Sequence, residues 1–218
     1  MRAIVEFQKL DRFIGHLDVL RSFQRTILRS RLPVAYSQGF HPHMLVSLAS
    51  PTSVGQAGLA EYVDISLAEF AEEEAFLKRL AEASPTVLPP VRCRTVLDSH
   101  PKLMAMLRTA SYEIAIDEHA DEIARVAETL WASEAYSAVR VSKTKTREIN
   151  IRAMIHELSA ENGKLRARVS FTEAETVKPD LLVETLCKIA GVDVPHTKIT
   201  RTGLFGEYGG VAVPLIDM

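Results

Sequence analysis

The sequence predicts an α+β fold of two ferredoxin-like lobes, each a β-α-β-β-α-β unit with helices on one face of an antiparallel sheet. Three observations predict it. The hydrophobic period switches between two and 3.6 in the same order twice along the chain. A run with turn chemistry, Asp-Ser-His-Pro-Lys at residues 98–102, lies between the two passes. An Asn162-Gly163 pair between alternating segments marks a tight hairpin. The expected lobes are therefore residues 1–99 and 100–218.

Residues 2–8 (RAIVEFQ) alternate, which places Ala3, Val5 and Phe7 on one side of a first strand. From Leu17 the period lengthens. Leu17, Leu20, Phe23, Gln24, Ile27 and Leu28 share one face of a helix that runs to about Ser30. Leu32-Pro33 stops it, because the residue before proline is pushed out of the helical region. VAYS and HMLVSLA read as two strands around the turn at residues 38–42, and EYVDISLA (61–68) as another. Residues 70–83 are an amphipathic helix, and VLPPVRCRTVL is an extended segment whose prolines suit a sheet edge. The second pass gives SYEIAID, a strand; ADEIARVAETLWA, a helix; and AVRVSK, a strand. A hairpin follows over residues 147–173, then a helix between Pro179 and Gly191, and a last strand, KITRTGLFG. The glycine-rich TGLFGEYGGV lacks the Gly-Lys-Ser/Thr of a phosphate loop and reads as a flexible tail.

The composition is that of a globular protein, with 218 residues, 47% hydrophobic and 25% charged. No stretch approaches the roughly 20 apolar residues of a membrane helix. The opening residues, MRAIVEFQKLDRF, meet charges too early for a secretory segment, so a cytoplasmic location is expected, with no membrane partner. Two distant cysteines, Cys93 and Cys187, exclude a disulfide scaffold or a zinc site of paired thiolates. Both are expected to be core residues. A net charge of -2 argues against a nonspecific nucleic-acid coat. Cations are nevertheless concentrated at Lys9, Arg21, Arg25, Arg29 and Arg31, and again at Arg140, Lys143, Lys145, Arg147 and Arg152.

Arg21, Arg25 and Arg29 are spaced by four and form one helical stripe, with Asp18 placed to pair with Arg21. Such a stripe either covers the edges of a core with its stems or tracks phosphates with its guanidinium groups. His16, His41 and His43 with Asp18 are metal-ligand types, but their spacing fits no compact signature, so no metal is expected. His16 could help to cap the helix. Phe40 in Gly39-Phe40-His41-Pro42 offers a ring on which a base could stack, or a ring that tucks into the core. No nucleophile elbow, kinase set, HExxH or CxxxCxxC cluster motif is present, which favours a binding protein without a cofactor.

Phe7, Lys9, Phe13-Ile14, His16-Leu17-Asp18, Arg21, Arg25, Leu32-Pro33, Ser37-Gln38-Gly39-Phe40-His41-Pro42-His43 and Glu61-Tyr62-Val63-Asp64 together resemble the radical SAM-linked protein family. REINIR (147–152) and Ile199-Thr200-Arg201 match more loosely. Gly15 stands where the family usually has serine, and Met44 where proline is common. The resemblance implies a companion of a cobalamin-binding radical SAM protein whose cluster and cofactors belong to that partner, with chemistry on RNA by association. Under this reading the RNA or partner contacts are Lys9, His16, Asp18, Arg21, Arg25, Arg29, Arg31, Phe40, His41, His43, Lys143, Lys145, Arg147 and Arg152. The alternatives are a purely structural protein-partner module and a metal-independent endoribonuclease. The second resembles repeat-RNA-processing proteins with two ferredoxin-like lobes, His16 serving as acid or base, with Tyr36 near it.

Overall fold

The computed structural model describes residues 1–141 and 146–218. It is a mixed α+β protein with a largely antiparallel sheet, and it divides into two compact units. One comprises Met1–Leu107 and Gly203–Met218; the other is Arg108–Thr202.

In the first unit the order is β1 (Arg2–Lys9), α1 (His16–Ser30), β2 (Val46–Leu48), β3 (Ala57–Ser66), α2 (Glu73–Ala83), β4 (Pro90–Val96) and the short α3 (Leu103–Met106). The strands lie in the order β4-β1-β3-β2, each pair antiparallel. Strand alternation sends Ala3, Val5 and Phe7 of β1 and Val63 and Ile65 of β3 to the helix side. There they meet Val19, Phe23 and Ile27 of α1 and Phe76 and Leu80 of α2, with Phe7 and Phe23 edge to face at 4.6 Å. β4 closes the order, as Pro89 and Pro90 at its start require.

Several expectations need correction. The buried face of α1 is Val19, Phe23, Thr26 and Ile27, while Leu17 and Leu28 are 53% and 60% exposed. At 100° per residue the true face is turned about a quarter turn from the predicted one. Counting leucines misplaced it, because Thr26 is buried and the flanking leucines are not. α2 starts three residues later than expected, since Glu72 accepts from the Glu74 and Ala75 N–H groups and so caps the helix. VAYS forms only isolated bridges, Val34 with Leu67 and Tyr36 with Met44, and β3 begins four residues before the predicted strand.

The second unit runs β5 (Thr109–Ile116), α4 (Ala120–Ala132), β6 (Ser137–Val141), β7 (Thr146–Asn150), β8 (Ile155–Glu161), β9 (Lys164–Ser170), α5 (Pro179–Ala190) and the start of β10 (Thr197–Tyr208). Its strand order is β10-β5-β9-β8. Asn162 and Gly163 both take positive φ, 52° and 71°, as the expected hairpin turn demands. The AVRV part of AVRVSK is not a strand of this sheet, and Ser142 and Lys143 lie outside the described residues. β6 pairs with β7 in a separate two-stranded ribbon, so REIN is its partner and not an extension of the β8–β9 hairpin. Among the described side chains of β6, Ala138 is buried and Val139 is exposed, whereas β8 contributes the buried Ile155.

The last residues are not a flexible tail. β10 turns through Gly209 and Gly210, both at positive φ (60° and 79°), into β11 (Val211–Pro214). The 3-10 turn Leu215–Asp217 then joins the first unit, where Arg92 bonds Asp217 and Arg94 donates to the Ile216 carbonyl at 3.0 Å and the Met218 carbonyl at 2.6 Å. The contiguous division at residue 99/100 therefore gives way to a first unit built from both ends of the chain.

On the sheet face opposite α1, Arg2 is buried against Asp64 and also donates to the His100 and Pro101 carbonyls. Removing one partner of a buried ion pair leaves an uncompensated charge, so Asp64→Ala should cost about 3–5 kcal/mol in urea unfolding. The double change Arg2→Met with Asp64→Leu should cost less than that single one. Simple addition of the two single losses would refute the pairing as the source of the effect.

Candidate functional site

The most polar buried region lies where β1 ends and α1 begins. Lys9 continues the helix-side alternation of Phe7, and Glu61 that of Val63, so both charges are carried into the core side of the sheet. Lys9 is 2% exposed and Glu61 3%. The Lys9 ammonium donates to the Gln56 carbonyl at 2.7 Å and the Arg12 carbonyl at 3.3 Å, tying the loop before α1 to the loop before β3. The Arg12 carbonyl also accepts from the Gly55 N–H at 2.7 Å. Glu61 lies across Gly58, where an added Cβ would come within 2.4 Å of its Oε1, so only glycine leaves room for that carboxylate.

Phe7, Lys9, His16, Thr52, Glu61 and their neighbours enclose a cavity of about 10 Å3, room for one water molecule. His16 is exposed at its mouth as the first residue of α1. It does not cap the helix; the N-cap is Gly15 and makes no side-chain bond. The exposed Phe13, Leu17 and Val54 belong to the same end of the unit. A cation, a carboxylate, a hydroxyl and an imidazole around one water could relay a proton, but the space holds no substrate. Any larger ligand would meet this end from outside, at His16. The signal for Glu61 was present in the strand period of EYVD, which puts it in phase with Val63. Thr52, Gln56 and Gly58 carried no comparable signal.

The loop at residues 37–43 is attached elsewhere. Ser66 of β3 accepts from the Ala35 N–H and donates to the Leu45 carbonyl, which fixes the loop's base at the Ser66 end of β3. Lys9 pairs with Gly58 at the other end of that strand. His16 and the loop are thus set at opposite ends of α1, a helix about 22 Å long, and no cluster of His16, His41 and His43 forms. Tyr36 lies at the loop end, apart from His16. Within the loop, Ser37 Oγ and His43 Nδ1 are 2.8 Å apart, and the His43 N–H donates to Ser37 Oγ at 3.1 Å. This clasp holds Phe40 and His41 out in solvent, Phe40 fully exposed. The core alternative for Phe40 is excluded. Among the described residues no group of three or more His, Cys, Asp or Glu side chains could hold a metal ion.

The arginine stripe is divided in its duties. Arg21 pairs with Asp18 at 3.2 Å on the surface. Arg29 donates to the Ala83 carbonyl at 2.6 Å, at the end of α2, while Arg79 donates to the Ser30 and Arg31 carbonyls at the end of α1. Each helix thereby closes the other's unsatisfied terminus. Arg31 itself takes the left-handed conformation that ends α1. Arg25 is exposed. In the second unit Arg152 donates to the Trp131, Ser133 and Ile155 carbonyls and stacks on Trp131 at 4.2 Å, so it is a frame residue. Arg147 is exposed on β7. Lys143 and Lys145 lie outside the described residues.

Cys93 faces α2 while Arg92 and Arg94 point to the other face, as alternation requires. Burial, followed by the nearby Glu73 and Glu72 carboxylates, pushes its thiol up to about 12. Burial also raises Cys187. Iodoacetamide near pH 8.5, about where a free thiol is half ionised, should therefore leave Cys93 unmodified in the native protein and label it in urea. Ready labelling of the folded protein would show a thiolate that this environment forbids.

No helix among the described residues is long and apolar enough to cross a membrane. No curated protein matches the chain. Among solved structures, a chain from the crystal structure of a Cbf5-Nop10-Gar1 complex aligns with 93% of this chain at 11% identity and a TM-score of 0.49. The aligned region is 48% of that structure's chain, so this chain spans about half of its length. A likeness so distant carries no functional argument. By sequence, over residues 2–179, the chain belongs to the family described as an uncharacterised protein conserved in bacteria, DUF2344.

Proposed function

We propose that this protein is a cytoplasmic binding module that docks a cobalamin-type radical SAM protein and holds an RNA substrate for it, without catalysing the reaction. The supporting observation is the loop at residues 37–43, which includes part of the motif on which the radical SAM-linked resemblance rests. Its Ser37–His43 clasp presents a fully exposed Phe40. An aromatic ring held in water in this way is of no use to the core and is the kind of anchor that fills a partner's pocket. The strand orders β4-β1-β3-β2 and β10-β5-β9-β8 support two ferredoxin-like lobes as its scaffold.

A second reading, the endoribonuclease, draws support from the exposed His16 at the mouth of the Lys9–Glu61 cavity. Tyr36 is not its partner there. A His16→Ala protein that cleaves RNA as well as wild type would remove that reading.

The docking claim is tested by calorimetric titration of the protein into the radical SAM partner. Phe40→Ala should weaken binding roughly 10- to 30-fold, as for an aromatic hot spot, and leave thermal stability unchanged. Undiminished binding would set the loop aside as the docking element.

A further inference from the structure

We infer that the exposed face of strands β5, β9 and β8 in the second unit holds a single strand of RNA by its sugar-phosphate backbone. This rests on the RNA part of the proposed function and names the surface and the groups that make the contact.

Strand alternation gives these three strands two unlike faces. Tyr112 and Ile114 of β5 and Leu165, Ala167 and Val169 of β9 are buried on one side. The other side carries Lys164, Arg166 and Arg168 along β9, with β5 and β8 on its flanks. The register sets Arg166 between Glu113 and Ser159, and Arg168 between Ser111 and Glu157. Successive cations on β9 are two residues, or about 6.7 Å, apart. Phosphates of an extended nucleic-acid strand recur at a similar distance.

The carboxylates hold the cations in place without using them up. Arg166 Nε donates to Glu113 Oε2 at 3.1 Å, and Lys164 donates to the other oxygen at 2.9 Å. Among the described residues, the two terminal amino groups of Arg166 have no partner. A guanidinium anchored in this way can take a phosphate in a bidentate grip. Ser111, Glu113, Glu157, Ser159, Arg166 and Thr202 line a cavity of about 250 Å3 on this face. That is just under the roughly 300–1,000 Å3 of drug-sized sites and suits one ribose phosphate unit.

The occupant follows from what the face offers. Its three cations are matched by Glu113, Glu157 and Glu161, so net charge alone does not gather polyanions here. Carboxylates and hydroxyls accept hydrogen bonds that a phosphodiester cannot donate, whereas the ribose 2′-hydroxyl can. The mixture of groups therefore favours RNA over DNA. Tyr112 is the only tyrosine, phenylalanine or tryptophan of the three strands, and it lies on the buried side. Bases find no ring to stack on, so the contact is with the backbone. The α1 stripe is poorly suited, because Arg29 closes a helix terminus and Arg21 already has Asp18.

The test is fluorescence anisotropy of a labelled single-stranded RNA, and of DNA of the same sequence, titrated with the full-length protein across a salt series. Wild type should bind the RNA more tightly. Arg166→Ala should weaken both on the order of tenfold and flatten the dependence of log K on log salt by about 0.7, with the melting temperature unchanged. Ser159→Ala with Thr202→Val should narrow the preference for RNA and leave DNA binding as it was. Arg21→Ala with Arg25→Ala should bind as wild type. If Arg166→Ala keeps full RNA affinity, or if wild type holds DNA as tightly as RNA, this assignment is overturned and the RNA reading survives. If wild type binds no RNA even at low salt, both fall, and docking through Phe40 stands alone.

Discussion

The first unit depends on burying a cation at each end of one strand. β1 places Arg2 on one face of the sheet at its start and Lys9 on the other face at its end. Neither group could be taken from water without compensation. Arg2 is compensated by Asp64 and by the carbonyls of His100 and Pro101, Lys9 by the carbonyls of Arg12 and Gln56. The partners come from segments far apart in sequence, so each cation fixes loops that the apolar core does not reach. The Phe7–Phe23 core sits between these two fixed points.

The same economy governs much of the surface charge. Arg29, Arg79 and Arg152 donate to carbonyls at helix ends, and Arg92 and Arg94 hold the Leu215–Asp217 turn. A sequence rich in arginine suggests a polyanion partner, yet Arg29, Arg79, Arg94 and Arg152 are consumed in satisfying backbone carbonyls at the ends of elements. What remains exposed is therefore more informative than the total. Among the described residues it includes the Phe40 loop and the His16 end of α1, each held by a few specific hydrogen bonds.

Local chemistry made much of this legible in advance. The Asn162-Gly163 hairpin, the α5 limits at Pro179 and Gly191, and the edge position of β4 follow from the φ demands of single residues. Errors came where tertiary contacts outrank local pattern. α1 buries Thr26 and exposes Leu17 and Leu28 because of what packs on it, not because of its own hydrophobicity. AVRV has a strand's alternation, yet β6 takes β7 as its partner and not a strand of the main sheet. The glycines near the C-terminus looked like slack, although Gly209-Gly210 is a hairpin turn that returns the chain to the first unit. For the site, the sequence grouped His16 with His41 and His43 by proximity along the chain, and a 15-residue helix sets them apart.

Whether Lys9 belongs to the frame or to a ligand site is the most direct question for this account, and urea unfolding of Lys9→Met answers it. As a structural tie with two hydrogen bonds from a charged donor, its loss should lower stability by about 2–3 kcal/mol. Unchanged stability, together with lost RNA or partner binding, would contradict the account and place Lys9 in a functional site instead.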